Sequence, residues 1–198
     1  MKKKILREKE IFGNFLKKMI RKAVIISISG VSLTRGEIEI FKKKKPWGVI
    51  LFKRNILSEK QLKKLTSSIK KTMKDKKYPI LIDEEGGRVT RLSNFLNNSI
   101  YSQKYFNDIY KIDKKVGLRL YKHYIDSISL HLRNLGININ TTPVLDLYQK
   151  KANGIIGNRS FSANSTSVNE MGQACVKFYK NNKIATVIKH IPGHGKAN

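Results

Sequence analysis

Five short apolar runs punctuate the chain: Ala23 to Ile28, Trp47 to Phe52, Pro79 to Ile82, Ile137 to Leu145 and Ile184 to Ile188. Each is rich in β-branched residues and nearly continuous, the pattern of strands buried on both faces of a parallel sheet. Between them the period changes to about 3.6. Leu62, Leu65 and Ile69 follow Ser58-Glu-Lys-Gln61, where Ser58 suits an N-cap and Gln61 the capping-box position. Over Val116 to Leu135 the apolar positions are Leu120, Tyr121, Tyr124, Ile128, Leu132 and Leu135, and Gly136 stands where a helix C-terminus wants positive φ. A third helix is predicted over Val168 to Asn182, with Met171, Cys175 and Phe178 on one stripe, which makes Cys175 a core thiol rather than a nucleophile. Strands alternating with helices predict a parallel α/β fold, either an open doubly wound sheet or a closed barrel. Ahead of them, residues 1–22 carry Ile5, Leu6, Ile11, Phe12, Phe15, Leu16 and Met19 at helical spacing, a basic amphipathic N-terminal helix.

Composition narrows the class. With one cysteine in 198 residues, no disulfide can form within the chain. No apolar run approaches the roughly 18 residues of a membrane span. The longest, Ala23 to Leu33, is broken by Ser27, Ser29, Gly30 and Ser32, and Thr34-Arg35-Gly36-Glu37 follows where a secretory signal would carry a small-residue cleavage site. A soluble, cytoplasmic protein is expected. The 41 Lys and Arg against 14 Asp and Glu give a net charge of +27, which raises a nucleic-acid or anionic-membrane partner. The excess is mostly lysine, at Lys42 to Lys45, Lys63, Lys64, Lys70, Lys71, Lys74, Lys76 and Lys77, in a chain also rich in Asn and Ile. Those residue types share A/T-rich codons, and no helix-turn-helix, zinc-finger or aromatic RNA-binding signature accompanies the lysines. They are read as solvated helix faces, with a basic nucleic-acid-associated protein as the competing function.

Polar residues collect where strands end. After Ile82 comes Asp83-Glu84-Glu85-Gly86-Gly87-Arg88-Val89-Thr90-Arg91. Three carboxylates and two turn-forming glycines suit a site at the carboxyl end of an α/β sheet. A salt-bridged turn, with Arg88 neutralising Glu84 or Glu85, explains them equally well. The fourth run ends at Asp146 and leads to Gly154-Ile-Ile-Gly157-Asn158-Arg159-Ser160-Phe161; the fifth runs into Lys189-His190 and then Pro192-Gly193-His194-Gly195. Pro192 and Gly193 break the helical face that His190 and His194 would need as paired metal ligands, so zinc is the minor alternative. Neither a G-x-x-x-x-G-K-[ST] phosphate loop nor a G-x-S-x-G nucleophile elbow occurs.

In this order the clusters resemble the glycoside hydrolase family 3 β-N-acetylhexosaminidases, cytoplasmic enzymes that act on N-acetylglucosamine-containing muropeptides in peptidoglycan recycling. The matching text is Trp47-Gly-Val-Ile-Leu-Phe-Lys-Arg-Asn55, Leu81-Ile-Asp83-Glu-Glu-Gly-Gly-Arg-Val-Thr-Arg91-Leu92, Asn140-Thr-Thr-Pro-Val-Leu-Asp146, Ile156-Gly-Asn-Arg159-Ser-Phe161 and Ile188-Lys189-His190-Ile-Pro-Gly-His-Gly195. Pro-Gly-His-Gly after Lys-His points to the hexosaminidase branch. The resemblance implies a TIM-type (β/α)8 barrel, represented over residues 23–198 by about its first five βα units, with a sugar pocket at the strand carboxyl ends. It implies that Asp83 hydrogen-bonds sugar hydroxyls, that Arg91 and Arg159 contact the sugar or its substituents, and that Lys189 and His190 bind near the hydroxyls of the same ring. A carbohydrate partner is implied, with no cofactor and no metal. The acid/base His and the nucleophilic Asp of the branch are expected beyond Asn198, His194 belonging to the preceding loop. The chain is therefore expected to be a fragment, inactive alone and lacking the C-terminal half of the barrel; a non-catalytic carbohydrate-binding remnant is the alternative.

Overall fold

The computed structural model of the chain describes residues 20–150 and 154–194. Five parallel strands form one sheet in chain order: β1 (Lys22–Ile26), β2 (Pro46–Leu51), β3 (Ile80–Ile82), β4 (Ile139–Asn140) and β5 (Ala185–Thr186). Helix α1 (Arg35–Lys44) joins β1 to β2, α2 (Glu59–Met73) joins β2 to β3, α3 (Gln103–Ile112) and α4 (Lys114–Asn134) join β3 to β4, and α5 (Ser165–Asn181) joins β4 to β5. A doubly wound sheet reverses its strand order at a switch point; this sheet does not. Right-handed crossovers then set every helix on one face, and the result is a five-stranded section of a TIM-type barrel. The amphipathic helix expected over residues 1–22 falls, for residues 1–19, outside the described residues, and Lys22 already opens β1.

All five expected strands are present, though two are much shorter than their apolar runs. The β4 ladder stops at Asn140 because the Thr142 amide turns back onto the Asn140 carbonyl and Pro143 has no N–H to offer. Pairing resumes at a bridge between Val144 and Lys189. Burial on both faces holds for β3 but not for the sheet edges: Val24 and Ile25 of β1 are 43% and 44% exposed, and Val187 and Ile188 after β5 are 39% and 45% exposed. Among the described residues, no further strand lies outside β1 or β5.

The three expected helices form, and their caps follow the sequence closely. Ser58 accepts from the Gln61 amide at 3.2 Å, while the Gln61 side chain reaches one residue further back, to the Leu57 amide. Gly136 has φ +78, and the Ile137 amide closes onto the Leu132 carbonyl. Two helices were not anticipated. α1 buries only Phe41 and is started by a capping box between Thr34 and Glu37. α3 buries Gln103, Phe106, Asn107 and Tyr110, so polar residues interrupt its apolar stripe. The core lies between sheet and helices, where Val49, Leu51, Ile80 and Ile82 meet residues such as Leu62, Ile69, Ile128, Leu132 and Met171. Cys175 is wholly buried there, and burial pushes its thiol up to about 12. No helix among the described residues is long and apolar enough to cross a membrane.

Candidate functional site

The carboxyl end of β3 is locked to β4 by one side chain. Asn140 accepts from the Glu84 amide at 3.0 Å and donates to the Glu84 carbonyl at 2.8 Å, so the backbone leaving β3 has a fixed direction. Asp83, just before it, faces the strand ends. It accepts from Arg91 at 3.0 Å, from Lys189 at 3.1 Å and from the Thr141 hydroxyl. Burial alone would raise its carboxyl, but Lys189, Thr141 and Arg91 outweigh that and hold it down at about 2. Asp83 is thus a permanent acceptor and cannot act as a proton donor near neutral pH.

Lys189 is shared. Its ammonium also lies 2.6 Å from Glu85, whose carboxylate takes a forked pair of bonds from Arg159 at 2.8 and 3.0 Å. The Glu85 side chain is 1% exposed, while Lys189 and Arg159 keep 14% and 12% of theirs exposed. Backbone bonds from Lys189 to Pro143 and from Leu145 to Lys189 hold the lysine beside the β4 exit. His190 follows. Its Nδ1 meets Asp146 at 2.7 Å and its Nε2 lies 3.4 Å from Arg159. Asp146 is 1% exposed and also accepts from the His190 and His194 amides, so one acid sets both the ring of His190 and the loop after it.

Glu84 points the other way and is fully buried. It accepts from Thr90 and Asn98 at 2.6 Å each, from the Arg91 amide at 2.8 Å and from the Leu92 amide at 3.0 Å. Burial pushes its carboxyl up and the four donors pull it down. The outcome is a pinned loop that delivers Arg91 to Asp83. Gly86 permits the loop's turn: its φ is +80, and a Cβ there would stand 2.2 Å from the Tyr101 carbonyl oxygen.

All five candidate residues, Asp83, Arg91, Arg159, Lys189 and His190, therefore meet in one network. The turn explanation for the acids is corrected. Arg88 neutralises neither Glu84 nor Glu85, but donates to the carbonyls of Gly154 at 2.6 Å and of Ile155, tying the β3 loop to the β4 loop. Sequence reasoning left Glu85, Thr141 and Asp146 out of the candidate set. The available signal was their place in the matched segments at strand ends.

Acids and bases gathered at the carboxyl ends of a singly wound parallel sheet are the layout of a (β/α)-barrel enzyme. The chain belongs to glycosyl hydrolase family 3: residues 18–198 match the profile of the glycosyl hydrolase family 3 N terminal domain. It is similar to the β-hexosaminidase of Methylobacillus flagellatus, 33% identical over 172 residues that make up 87% of this chain and 48% of that protein. The β-hexosaminidase of Bordetella pertussis is 32% identical over 174 residues, with the same coverage. Native NagZ from Neisseria gonorrhoeae superposes with a TM-score of 0.79 at 30% identity, covering 89% of this chain and 51% of that one. A family 3 β-N-acetylglucosaminidase from Paenibacillus gives 0.77 at 28%, covering 91% and 34%. These relatives place the chain in the β-N-acetylhexosaminidase branch, and it spans about half the length of the curated relatives it matches.

Proposed function

We propose that residues 23–198 are the N-terminal, sugar-binding part of the barrel of a retaining β-N-acetylhexosaminidase that removes terminal β-linked N-acetylglucosamine. The observation that carries this is the convergence of Asp83, Arg91, Arg159, Lys189 and His190, from the ends of β3 and β5 and the loops after β3 and β4, into one network in which the Arg91 and His190 side chains stay 28% and 30% exposed. Asp83 accepts from sugar hydroxyls, using lone pairs its protein partners leave over. Lys189, Arg91 and Arg159 donate to hydroxyl and carbonyl oxygens, and His190 addresses the same ring with its orientation set by Asp146. Charge-assisted bonds of this kind strengthen as the sugar gains oxocarbenium character. A general acid needs a pKa near the working pH, which Asp83 at about 2 lacks. Following the family resemblance, the acid/base His and the Asp that forms the covalent glycosyl intermediate come from polypeptide after Asn198. The setting we propose is muropeptide turnover in the cytoplasm.

Hydrolysis of 4-nitrophenyl N-acetyl-β-glucosaminide tests the proposal, using the 198 residues alone and the same residues joined to the C-terminal half of the Methylobacillus relative. The joined chain is expected to hydrolyse the substrate and the 198 residues are not. Turnover by the short chain would contradict the assignment of the reacting groups, and a folded but inert joined chain would contradict the function.

A further inference from the structure

A cleft of about 650 Å³ lies between α2 and the end of α4. Both helices run from the carboxyl toward the amino ends of the strands, so the cleft is at the opposite end of the strands from Asp83 and Asp146. Lys63, Lys70, Lys71, Lys74, Lys76 and Arg133 line it, with Asp75 as its one acid among the described residues. Asp75 is already occupied: Arg21 binds it at 2.5 Å and the Lys77 amide at 2.7 Å. Lys63 pairs with Glu59 at 3.2 Å, whereas among the described residues Lys70, Lys71, Lys74 and Lys76 have no carboxylate within ion-pair distance.

The usual reason for cations at helix C-termini, relief of exposed carbonyls, accounts for one donor of Arg133, which bonds the Asn182 carbonyl at the end of α5 at 2.6 Å, but not for the lysines. The Lys70 and Lys71 carbonyls accept from the Asp75 and Lys74 amides, and those of Leu132 and Arg133 accept from Ile137 and Gly136. The Leu135 carbonyl accepts from the Thr66 hydroxyl at 2.7 Å. Nor is Lys70 a freely solvated side chain. Its Nζ is folded over Gly136, 3.3 Å from where a Cβ would stand, and burial pulls its ammonium below the ordinary lysine range despite the opposing charge of Asp75.

We propose that this cleft binds a chain of phosphate groups, held by Lys70, Lys71, Lys74 and Arg133. Successive anionic oxygens along a polyphosphate match the ammonium groups of Lys70 and Lys71 in the last turn of α2 and of Lys74 at its C-cap, with the remaining N–H groups of the Arg133 guanidinium on the α4 side of the cleft. No aromatic residue lines the cleft to stack a base, so the phosphate chain itself is the recognised feature and not a nucleic-acid strand.

The experiment is calorimetric titration of tripolyphosphate into the full chain. Saturable binding is expected. The paired substitution Lys70→Gln with Lys74→Gln should weaken it about tenfold or more, while Lys42→Gln with Lys44→Gln, which removes the same charge from α1, should change it by less than about twofold. Absence of saturation overturns the proposal, as does equal weakening by the two pairs. A single-stranded oligonucleotide that binds more tightly than tripolyphosphate, and loses affinity equally in both variants, would assign the affinity to overall charge and overturn it too. Lys42, Lys44 and Lys70 lie in helices and Lys74 is the C-cap of α2, and circular dichroism of each variant verifies its fold.

Discussion

Asp83 and Glu84 are adjacent carboxylates with opposite roles, and the difference lies in what surrounds them. Lys189, Thr141 and Arg91 hold Asp83 at about 2 in spite of burial, whereas Glu84 spends its lone pairs on the loop that carries Arg91. Because folding lowers the Asp83 pKa from the ordinary 3.8 to about 2, its contribution to stability is complete above about pH 4 and is lost as pH falls from 3.8 toward 2. Asp83→Asn is therefore expected to flatten the pH dependence of stability across that window, read from urea midpoints between about pH 2 and 5. An unchanged slope would show that the ion pairs around Asp83 do not hold in solution. At this scale the sequence displays three acids in a row but cannot say which is buried. The matched segments make Asp83, Arg91, Arg159, Lys189 and His190 candidates, while the pairing of Glu85 with Arg159 spans 74 positions and is set only by the fold.

At the scale of elements, legibility followed the regularity of the apolar stripe. α4 shows a clear period and a glycine stop, so both its body and its end were anticipated. α3 was not, because its buried face includes Gln103 and Asn107. Gln103 explains why a polar residue belongs there: it donates to the Val144 and Arg159 carbonyls at 2.9 and 2.7 Å and accepts from the Val144 amide at 3.0 Å, fastening the β4 exit and the Arg159 loop to one helix. The α3–α4 contact that supports this arrangement depends on Gly117. A Cβ at that position would stand 2.4 Å from the Tyr110 Cα and 2.6 Å from its amide nitrogen, both backbone atoms. Gly117→Ala is expected to destabilise the chain by about 1–3 kcal/mol, measured as a lower urea midpoint, because the two helices must separate. A midpoint equal to that of the parent would show that the contact is looser than described.

The whole molecule has two chemically distinct ends. Acids and paired bases occupy the carboxyl ends of the strands, and lysines crowd the amino ends, so part of the +27 charge that composition assigns to solvated faces is concentrated around a cleft. Strand order rather than strand content decides the architecture: five apolar runs fit an open sheet or a barrel, and the order β1-β2-β3-β4-β5 selects the barrel. The central claim is that the carboxyl end binds N-acetylglucosamine through the Asp83 network. Titration of N-acetylglucosamine into the chain, followed by NMR chemical shifts, tests it most directly. Saturable shifts are predicted around Asp83, Arg159 and His190, with affinity reduced about tenfold or more by Asp83→Asn. Affinity unchanged in a folded Asp83→Asn chain, or shifts confined to other residues, would contradict the account.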